Sequence, residues 1–314
     1  MIGFDIGGTK CAVSVGYEQE QTLHVLEKKV IPTDLSIPPL EMVARMCALA
    51  EEMTDDFSRI GISCGGPLNS KTGMILSPPN LPGWDRVPIV EYLTQRYGGK
   101  VAIQNDANAC AVAEWKYGAG RGTQNMIFLT FGTGLGAGLI LGGALYAGTS
   151  DMAGEAGHIR LRRGGPIGFG KHGSFEGFCS GGGIVQLGRA YAQKQLDAGK
   201  SASFCTSADE LATITTKKIA ELANAGHRDA LQIFAHCGKM LGEGLSVLID
   251  ILNPEVIVIG SVFLRAEHLI RPTMEAVIER EALLQAREVC RVVPAGLGER
   301  LGDYAALSIA ANTK

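Results

Sequence analysis

The stretch FDIGGTK, residues 4–10, decides how this chain is interpreted. An apolar run that begins at Ile2 leads into this stretch, and a second apolar run, Ala12–Val15, follows it. This pattern predicts a strand, a turn and a returning strand. Asp5 would lie at the end of the first strand, and Gly7-Gly8-Thr9 would direct backbone amides and a hydroxyl to one point, which suits phosphate oxygens. Asp5 would then be close enough to hold a hydrated Mg²⁺ ion. The alternative is a plain hairpin, because Gly-Gly is a common two-residue loop.

A second loop of the same chemical kind is TFGTGLGAG, residues 130–138, with two threonines and four glycines. It lies in the uncharged stretch from Met126 to Ser150, which is long enough to cross a bilayer. Alternating glycines at 134, 136 and 138 would weaken a membrane helix, so two buried strands joined by a glycine turn are expected instead. One such unit in each half of the chain predicts a duplicated architecture. Together the two loops predict a phosphate chain bound between two domains.

Predicted strands and helices alternate along the rest of the chain. The helices are predicted at 39–57, 107–117, 228–252, 267–284 and 303–311, and the strands at 59–63, 100–103, 256–259 and 290–293. This alternation indicates an α/β fold, and a length of 314 residues favours two domains.

The bulk composition excludes several classes of protein. A hydrophobic fraction of 46% with 19% charged residues is typical of a globular protein in water. The net charge of −3 offers no basic face for nucleic acid. The eight cysteines are scattered and no signal peptide precedes them, which predicts reduced thiols and a cytoplasmic protein without a membrane partner.

Four motifs in order then resemble a known family. FDIGGTK, QNDANA (104–109), TFGTGLGAG and EAGHI (155–159) are similar to those of the ROK family of sugar kinases, in the actin-like ATPase superfamily. The resemblance implies two ribonuclease H-like domains with the active site in the cleft between them. Residues 1–117 with a C-terminal helix at 302–314 would form the smaller domain, and residues 118–301 the larger one. It also implies ATP and Mg²⁺ as cofactors and a homodimer.

The resemblance assigns the nucleotide to the two glycine loops and to the motif NPEVIVIG, which ends at Gly260. The implied ATP-binding residues are Asp5, Gly7, Gly8, Thr9, Lys10, Gly132, Thr133, Gly134, Gly136 and Gly260, with Asp5 holding Mg²⁺ through water. The family continues Gly-Gly where this chain has Gly260-Ser261, so a side chain stands where backbone would approach the adenosine.

Asp106 in QNDANA is the candidate general base. Phosphorylating a sugar hydroxyl needs a base within hydrogen-bond reach of the hydroxyl proton, and positioning supplies most of the remaining acceleration. Asp106 lies at a predicted strand-to-helix junction, with Asn105 placed to orient the sugar, and the resemblance implies the same roles. The alternative is that Asp106 only caps the helix that begins at Ala107.

The remaining sugar contacts implied by the resemblance are Glu155, His158 and Glu176. Glu155 and His158 are three residues apart and would share a face of a helical turn. The alternative for His158 is a buried histidine satisfied by the backbone. Gly65 and Asn80, in two Pro-containing loops, are the candidates for the wall of the sugar pocket, although such loops are otherwise ordinary turns.

The loop GPIGFGKHGSFEG, residues 165–177, departs from the family. It nearly matches a P-loop, but His172 stands where Ser or Thr is required. The family has three zinc-binding thiolates at the positions of Ile167, Phe169 and Ser174, so structural zinc is expected to be absent. Ile167 and Phe169 are expected to pack the loop by apolar contact in place of the metal. A replacement metal site from His158, His172 and Cys179 is the alternative.

The sequence therefore predicts an ATP-dependent kinase that acts on a hydroxyl, the 6-OH for preference, of a hexose or N-acetylhexosamine. A sugar-binding ROK regulator is the alternative, although FDIGGTK begins at residue 4 and leaves no room before it for a helix-turn-helix. A third possibility is an ATPase that uses no sugar, against which Glu155, His158 and Glu176 argue. The identity of the sugar stays open.

Overall fold

The computed structural model describes residues 1–313, which form two five-stranded sheets, two short hairpins and ten helices within that range. The strands are β1 (Ile2–Ile6), β2 (Lys10–Gln19), β3 (Thr22–Pro32), β4 (Arg59–Cys64), β5 (Leu68–Asn69), β6 (Met74–Ile75), β7 (Lys100–Asn105), β8 (Met126–Leu129), β9 (Ala137–Leu141), β10 (Ala144–Leu145), β11 (Ile167–Gly168), β12 (Lys171–His172), β13 (Val256–Ile259) and β14 (Arg291–Pro294). The helices are α1 (Pro39–Met53), α2 (Ile89–Tyr97), α3 (Asp106–Tyr117), α4 (Phe175–Phe178), α5 (Gly181–Asp197), α6 (Thr216–Asn224), α7 (Arg228–Leu252), α8 (Val262–Glu281), α9 (Leu284–Arg287) and α10 (Leu301–Ala311).

The first sheet has the strand order β3-β2-β1-β4-β7. β1 pairs with β2 in antiparallel fashion, and β1, β4 and β7 run parallel. Their register sets Asp5 beside Ser63, and Ser63 beside Gln104. Because the carboxyl ends of parallel strands meet at one edge of a sheet, the residues that follow these strands emerge together.

Two helices and one glycine complete the packing of this sheet. The buried face of α1 joins the core, whose largest side chains include Phe4 and Trp84. α10 lies against the strands so closely that a Cβ on Gly61 would overlap the carbonyl oxygen of Ala306. Glycine is therefore needed here for close approach rather than for a turn.

The second sheet has the order β10-β9-β8-β13-β14, with β13 and β14 parallel. β8 and β13 are buried along their whole length, which explains their continuous apolar sequences. The strands β8, β9 and β10 fall in the stretch Met126–Ser150, so the prediction of strands rather than a membrane helix is confirmed. None of the helices in residues 1–313 is long and apolar enough to cross a membrane.

Contacts divide the chain into two compact units. Unit 1 comprises Met1–Phe128, Gly138–Gly154 and the stretch from Ala295 onward, and unit 2 comprises Leu129–Ala137 and Glu155–Pro294. The boundaries given by the sequence, 1–117 with 302–314 and 118–301, stay a prediction.

Two helices differ clearly from their predictions. α8 begins at Val262, five residues earlier than 267, because the Val262 N–H donates to the carbonyl of Phe131 (2.8 Å) directly after the strand. The periodic pattern is obscured at this start by an irregular residue, Ala266 (φ −124°), and by Pro272 inside the helix. α1 likewise ends at Met53 rather than at 57, since Thr54 is already extended.

Candidate active site

Asp5 and Asp106, both in unit 1, are close enough for their charges to interact. Burial and, after it, the charge of Asp106 raise the pKa of Asp5 to about 6, although the charge of Lys28 and the Ser63 hydroxyl act to lower it. Asp106 keeps an exposed surface, but the protein atoms packed around it reduce the hydration of its carboxylate and so raise its pKa. Two carboxylates with raised pKa values in one place are typical of a functional site.

The first turn of α3 separates the roles of Asn105 and Asp106. Asn105 is the N-cap, and its side chain accepts from the Ala107 N–H (2.9 Å). Oδ1 of Asp106 accepts from the same N–H (2.8 Å). Oδ2 of Asp106 makes no hydrogen bond to any of residues 1–313. The capping position thus belongs to Asn105, which leaves one carboxylate oxygen of Asp106 open to a substrate.

The loop at Gly7 to Thr9 is not the two-residue hairpin turn that the sequence allowed. Neither glycine has a positive φ, which a type I′ turn requires at both central positions. The loop is held by Thr33, whose Oγ1 donates to the carbonyl of Gly7 (2.6 Å) and whose N–H donates to that of Thr9 (3.0 Å). Within residues 1–313 the N–H groups of Gly8 and Thr9 make no hydrogen bond, and Lys10 beside them is exposed. The loop therefore presents donors to a ligand.

The two Pro-containing loops lie against this glycine loop. A Cβ on Gly8 would overlap the carbonyl oxygen of Asn80, and one on Gly65 would lie 3.3 Å from the Asn80 side chain. A Cβ on Gly66 would lie 3.0 Å from Nδ2 of Asn105. These close approaches bring together the predicted site residues Gly8, Gly65, Asn80 and Asn105.

The second glycine loop is closed by Thr130. Its N–H donates to the carbonyl of Gly136 (2.9 Å), and its Oγ1 accepts from the Gly136 N–H (2.9 Å). Inside the loop the Gly132 N–H donates to the carbonyl of Gly134 (3.1 Å). The N–H groups of Thr133 and Gly134 have no hydrogen bond within the described part of the chain. This loop too offers unpaired backbone donors of the kind that bind phosphate.

Glu176 contacts this second loop directly. It is half-buried on α4, and its Oε2 accepts from the N–H of Leu135 (3.0 Å). A Cβ on Gly134 would lie 2.7 Å from the same oxygen. The buried hydroxyl of Ser174 caps α4 by accepting from the Gly177 N–H (3.0 Å), which fixes the start of the helix.

Glu155 precedes a single turn of 3₁₀ helix, Ala156–His158, and His158 ends it. The His158 N–H donates to the carbonyl of Glu155 (3.1 Å), so the two residues lie on one turn of the chain. Both side chains are exposed, and the ring of His158 lies edge-on to Phe169 with centroids 5.2 Å apart. The alternative of a buried, backbone-satisfied histidine is therefore wrong.

Ile167 and Phe169 do not pack the loop 165–177 by apolar contact, and that prediction was wrong. Ile167 is 43% exposed and Phe169 is 68% exposed. Gln186 instead binds the backbone of Ile167 on both sides, accepting from its N–H (2.8 Å) and donating to its carbonyl (2.9 Å). Gly165, Gly170 and Gly173 all have positive φ, so the backbone turns tightly and the apolar side chains face outward.

No group of three His, Cys, Asp or Glu residues in the described chain could hold a metal ion. The alternative ligands are not gathered. His172 is exposed with its Nδ1 3.3 Å from the carbonyl of Gly165, whereas Cys179 is buried with its Sγ 3.6 Å from the carbonyl of Cys237.

Comparison with known proteins shows which family this chain belongs to. A model of the ROK family matches residues 1–313. The chain belongs to the ROK family. It is 30% identical to the glucokinase of Streptomyces coelicolor over 98% of this chain and 96% of the relative. It is 26% identical to the xylose repressor of Caldicellulosiruptor bescii, over 79% of this chain and 58% of the repressor.

The fold of this ROK protein is also that of a solved relative. The crystal structure of a ROK family glucokinase from Streptomyces griseus in complex with glucose and AMPPNP superimposes with a TM-score of 0.77. The two chains are 28% identical, and the match covers 99% of each. The prediction of the α/β, actin-like fold is thereby confirmed.

Sequence reasoning missed several elements of this ROK chain, and among them the N-terminus of α5 bears on the site. Ser180 caps the helix by accepting from the Gly183 N–H (2.9 Å), and the Gly181 N–H donates to the carbonyl of Gly132 (2.8 Å). The 17-residue helix therefore begins directly at the second glycine loop. A serine followed by three glycines ahead of a helical pattern was the signal available in the sequence.

A cavity of about 550 Å³ adjoins the same place in unit 2. Its lining includes Thr216, Phe234, Val262 and Ala266. Oγ1 of Thr216 donates to the carbonyl of Gly181 (2.7 Å), which connects the cavity wall to α5. These residues come from α6, α7 and α8, and no local sequence pattern could have grouped them.

The departure at Ser261 has a local structural cost. Gly260 is buried, and its N–H donates to the carbonyl of Leu129 (3.0 Å). Ser261 has φ 51° and ψ −109°, a conformation that glycine adopts readily and a residue with a Cβ does not. The Gly-Gly pair that the ROK resemblance leads us to expect would relieve this strain.

Proposed function

We propose that the protein is an ATP-dependent kinase that phosphorylates a hydroxyl, preferably the 6-OH, of a hexose or N-acetylhexosamine. The observation that carries the proposal is the open Oδ2 of Asp106, next to the N-cap Asn105 and with a raised pKa. A carboxylate of raised pKa, in hydrogen-bond reach of a bound hydroxyl, is suited to accept its proton. Membership of the ROK family and similarity to glucokinases support the same assignment.

In the proposed reaction the sugar hydroxyl oxygen forms a bond to the γ-phosphorus of ATP. The bond from that phosphorus to the β–γ bridging oxygen breaks, and ADP leaves with the electron pair. Asp106 receives the hydroxyl proton, and Asn105 orients the sugar. In-line transfer of this kind depends mainly on positioning and on charge stabilisation.

Open backbone donors in both glycine loops support their assignment to the phosphates of ATP. Gly7, Gly8, Thr9 and Lys10 are proposed for unit 1, and Gly132, Thr133, Gly134 and Gly136 for unit 2. Gly260 and the 550 Å³ cavity beside α5 are proposed for the adenosine. The cavity is large enough for a base, and its apolar wall at Phe234 and Val262 suits a flat ring.

The carboxylate pair also fits Mg²⁺. The pKa of Asp5 is raised in part by the charge of Asp106, a repulsion that a divalent cation would relieve. Oxygen ligands and retained waters are what Mg²⁺ takes in phosphate-transfer sites. Asp5 would hold the ion through water, and the ion would neutralise charge on the phosphate oxygens.

Glu155, His158 and Glu176 are proposed as sugar ligands, with Gly65 and Asn80 in the wall of the sugar site. Their exposure supports this role, since His158 and Glu155 both present polar side chains to solvent. The cytoplasm remains the proposed compartment. All eight cysteines are free thiols and six are buried, which suits a reducing environment.

The alternative is a sugar-binding ROK protein without kinase activity. The relative that favours it is the xylose repressor, of which this chain covers only 58%. The open Asp106 oxygen favours the kinase, because a protein that only binds sugar needs no base.

We also propose a homodimer, as the family resemblance implies. Large apolar side chains exposed on unit 2 support it: Ile251 on α7 is 72% exposed, and Leu283 is 63% exposed. The two lie close together, since the Leu283 N–H donates to Asp250 (2.9 Å). Exposed apolar groups in one place are typical of a protein interface.

The kinase proposal is tested by measuring ADP release from ATP and Mg²⁺ with a panel of hexoses and N-acetylhexosamines. We expect at least one sugar to stimulate ADP release far above the sugar-free rate and to be recovered as its phosphate. Calorimetric titration of the same sugars serves as the control for binding. Sugar binding without turnover for the whole panel would favour the regulator instead.

A further inference from the structure

Leu135 lies in the second glycine loop, and both its N–H and its carbonyl group are in close contact with neighbouring segments. Its N–H donates to Oε2 of Glu176 (3.0 Å). On the other side, a Cβ on Gly157 would overlap the carbonyl oxygen of Leu135 and would lie 3.2 Å from Cβ of Glu176. Three segments of unit 2 therefore meet at one point: the loop, α4, and the turn that carries Glu155 and His158.

The contact lies next to the open donors of the loop. The peptide unit that supplies the Leu135 N–H follows Gly134, and the unpaired N–H groups are those of Thr133 and Gly134. Because φ and ψ are the soft torsions of the backbone, fixing one peptide unit restricts the direction of the neighbouring ones. Glu176 thus restrains the backbone directly beside the loop's unpaired N–H groups.

Glu176 itself has one oxygen to spare. Its Oε1 makes no hydrogen bond within residues 1–313, whereas Oε2 is held by the loop. A carboxylate can accept several hydrogen bonds, so a hydroxyl on Oε1 does not compete with Leu135. The same group can therefore bind a sugar and a loop at once.

We propose that Glu176 is a positioning residue that couples the sugar subsite to the phosphate-binding loop. A sugar hydroxyl on Oε1 fixes the carboxylate, Oε2 then fixes the Leu135 peptide, and the loop is ordered for the nucleotide. This inference rests on the proposed function, because it takes a sugar as the ligand of Oε1. Since coupling between two ligands is reciprocal, nucleotide binding must tighten sugar binding by the same factor.

The test is equilibrium binding of AMPPNP with Mg²⁺, measured by calorimetry on the full chain without and with a saturating hexose or N-acetylhexosamine from the panel. We expect the sugar to tighten AMPPNP binding in the wild type by about five-fold or more, within the usual range for coupled sites. Glu176→Ala should abolish the tightening, and Glu176→Gln should restore part of it because an amide oxygen can still accept from Leu135. His158→Ala is the matched control, which should weaken sugar binding but keep the tightening factor.

A second pair of variants acts from the other side of Leu135. Gly157→Ala should weaken AMPPNP binding although residue 157 belongs to the sugar-side turn, since its Cβ would displace the Leu135 carbonyl. Gly164→Ala, which meets no atom within 4 Å, should leave it unchanged. Thermal unfolding of all variants shows whether a loss is one of folding.

The outcomes separate this inference from the kinase proposal. The coupling is overturned if the sugar tightens AMPPNP binding equally in the wild type and in Glu176→Ala, or if it does not tighten it in the wild type. If the wild type still phosphorylates the sugar at a normal rate, the kinase proposal stands. Tightening that depends on Glu176, in a chain that phosphorylates no sugar, supports the coupling and overturns the kinase.

Discussion

At the scale of single residues, the neighbours Asn105 and Asp106 show both the reach and the limit of sequence reasoning. The sequence places both at a strand-to-helix junction, and the structure has that junction. It could not decide which residue caps α3, because Asn and Asp cap helices about equally well. Only the structure shows that both accept from the same Ala107 N–H and that Oδ2 of Asp106 has no hydrogen bond within residues 1–313.

The base role of Asp106 predicts a specific kinetic defect. Asp106→Asn keeps the shape of the side chain but cannot take the proton, so turnover should fall by about 10² to 10⁴-fold, the usual contribution of general base catalysis. Sugar affinity, measured by calorimetry, should stay within a few-fold of the wild type. A variant that keeps a near-normal rate would show that Asp106 only supports the helix.

The pH profile of the wild type gives an independent check of the same role. The base acts when deprotonated, and burial raises the pKa of Asp106 above the ordinary value of 3.8. Activity should therefore fall on the acid side of the profile, and at a higher pH than it would for an ordinary carboxylate. This decrease at acid pH should appear in kcat/KM for the sugar, because the pH dependence of kcat/KM reports the pKa values of the free enzyme.

At the scale of elements, the loop 165–177 is where the sequence was least informative. The missing thiolates are visible in the sequence, but the support that replaces them is not. It comes from Gln186 on α5, from the cap at Ser174 and from buried Phe175. Side-chain to backbone bonds of this kind have no periodicity, so no pattern in the sequence predicts them.

This support predicts a loop that is stable without zinc. Elemental analysis should find well under one zinc per chain, and a chelator should leave the melting temperature unchanged. Gln186→Ala should lower it slightly, because it removes two exposed hydrogen bonds to the backbone of Ile167, each of which contributes about 0.5–1.5 kcal/mol at most.

Gln193→Ala is the matched control on the same helix. Gln193 is exposed and its side chain donates to the exposed Asp197, so its loss should change little. Stoichiometric zinc, or a melting temperature that falls with chelator, would contradict this account of the loop.

At the scale of the whole molecule, the order of elements was more predictable than their grouping. The alternation of strands and helices and the four ROK motifs are local signals, and the α/β fold follows from them. Unit 1, however, is assembled from three separate stretches of chain, the last beginning at Ala295. Long-range contacts such as that between Gly61 and Ala306 decide this grouping. In the sequence such a contact is visible only as a glycine, which does not identify its partner.

The homodimer is the prediction that belongs to the whole chain. Val247 and Ile251 are four residues apart on α7 and share a face, and Leu283 lies beside them, so an apolar surface of unit 2 is open to water. Light scattering should give a mass of two chains, because covering such a surface removes apolar area from water. Ile251→Asp should shift the mass toward one chain, since the interface would have to bury a charge.

Leu26→Asp is the control: Leu26 is similarly exposed (66%) but lies on β3, so its variant should stay dimeric. A monomeric wild type would refute the dimer, and a dimer that survives Ile251→Asp would place its interface elsewhere.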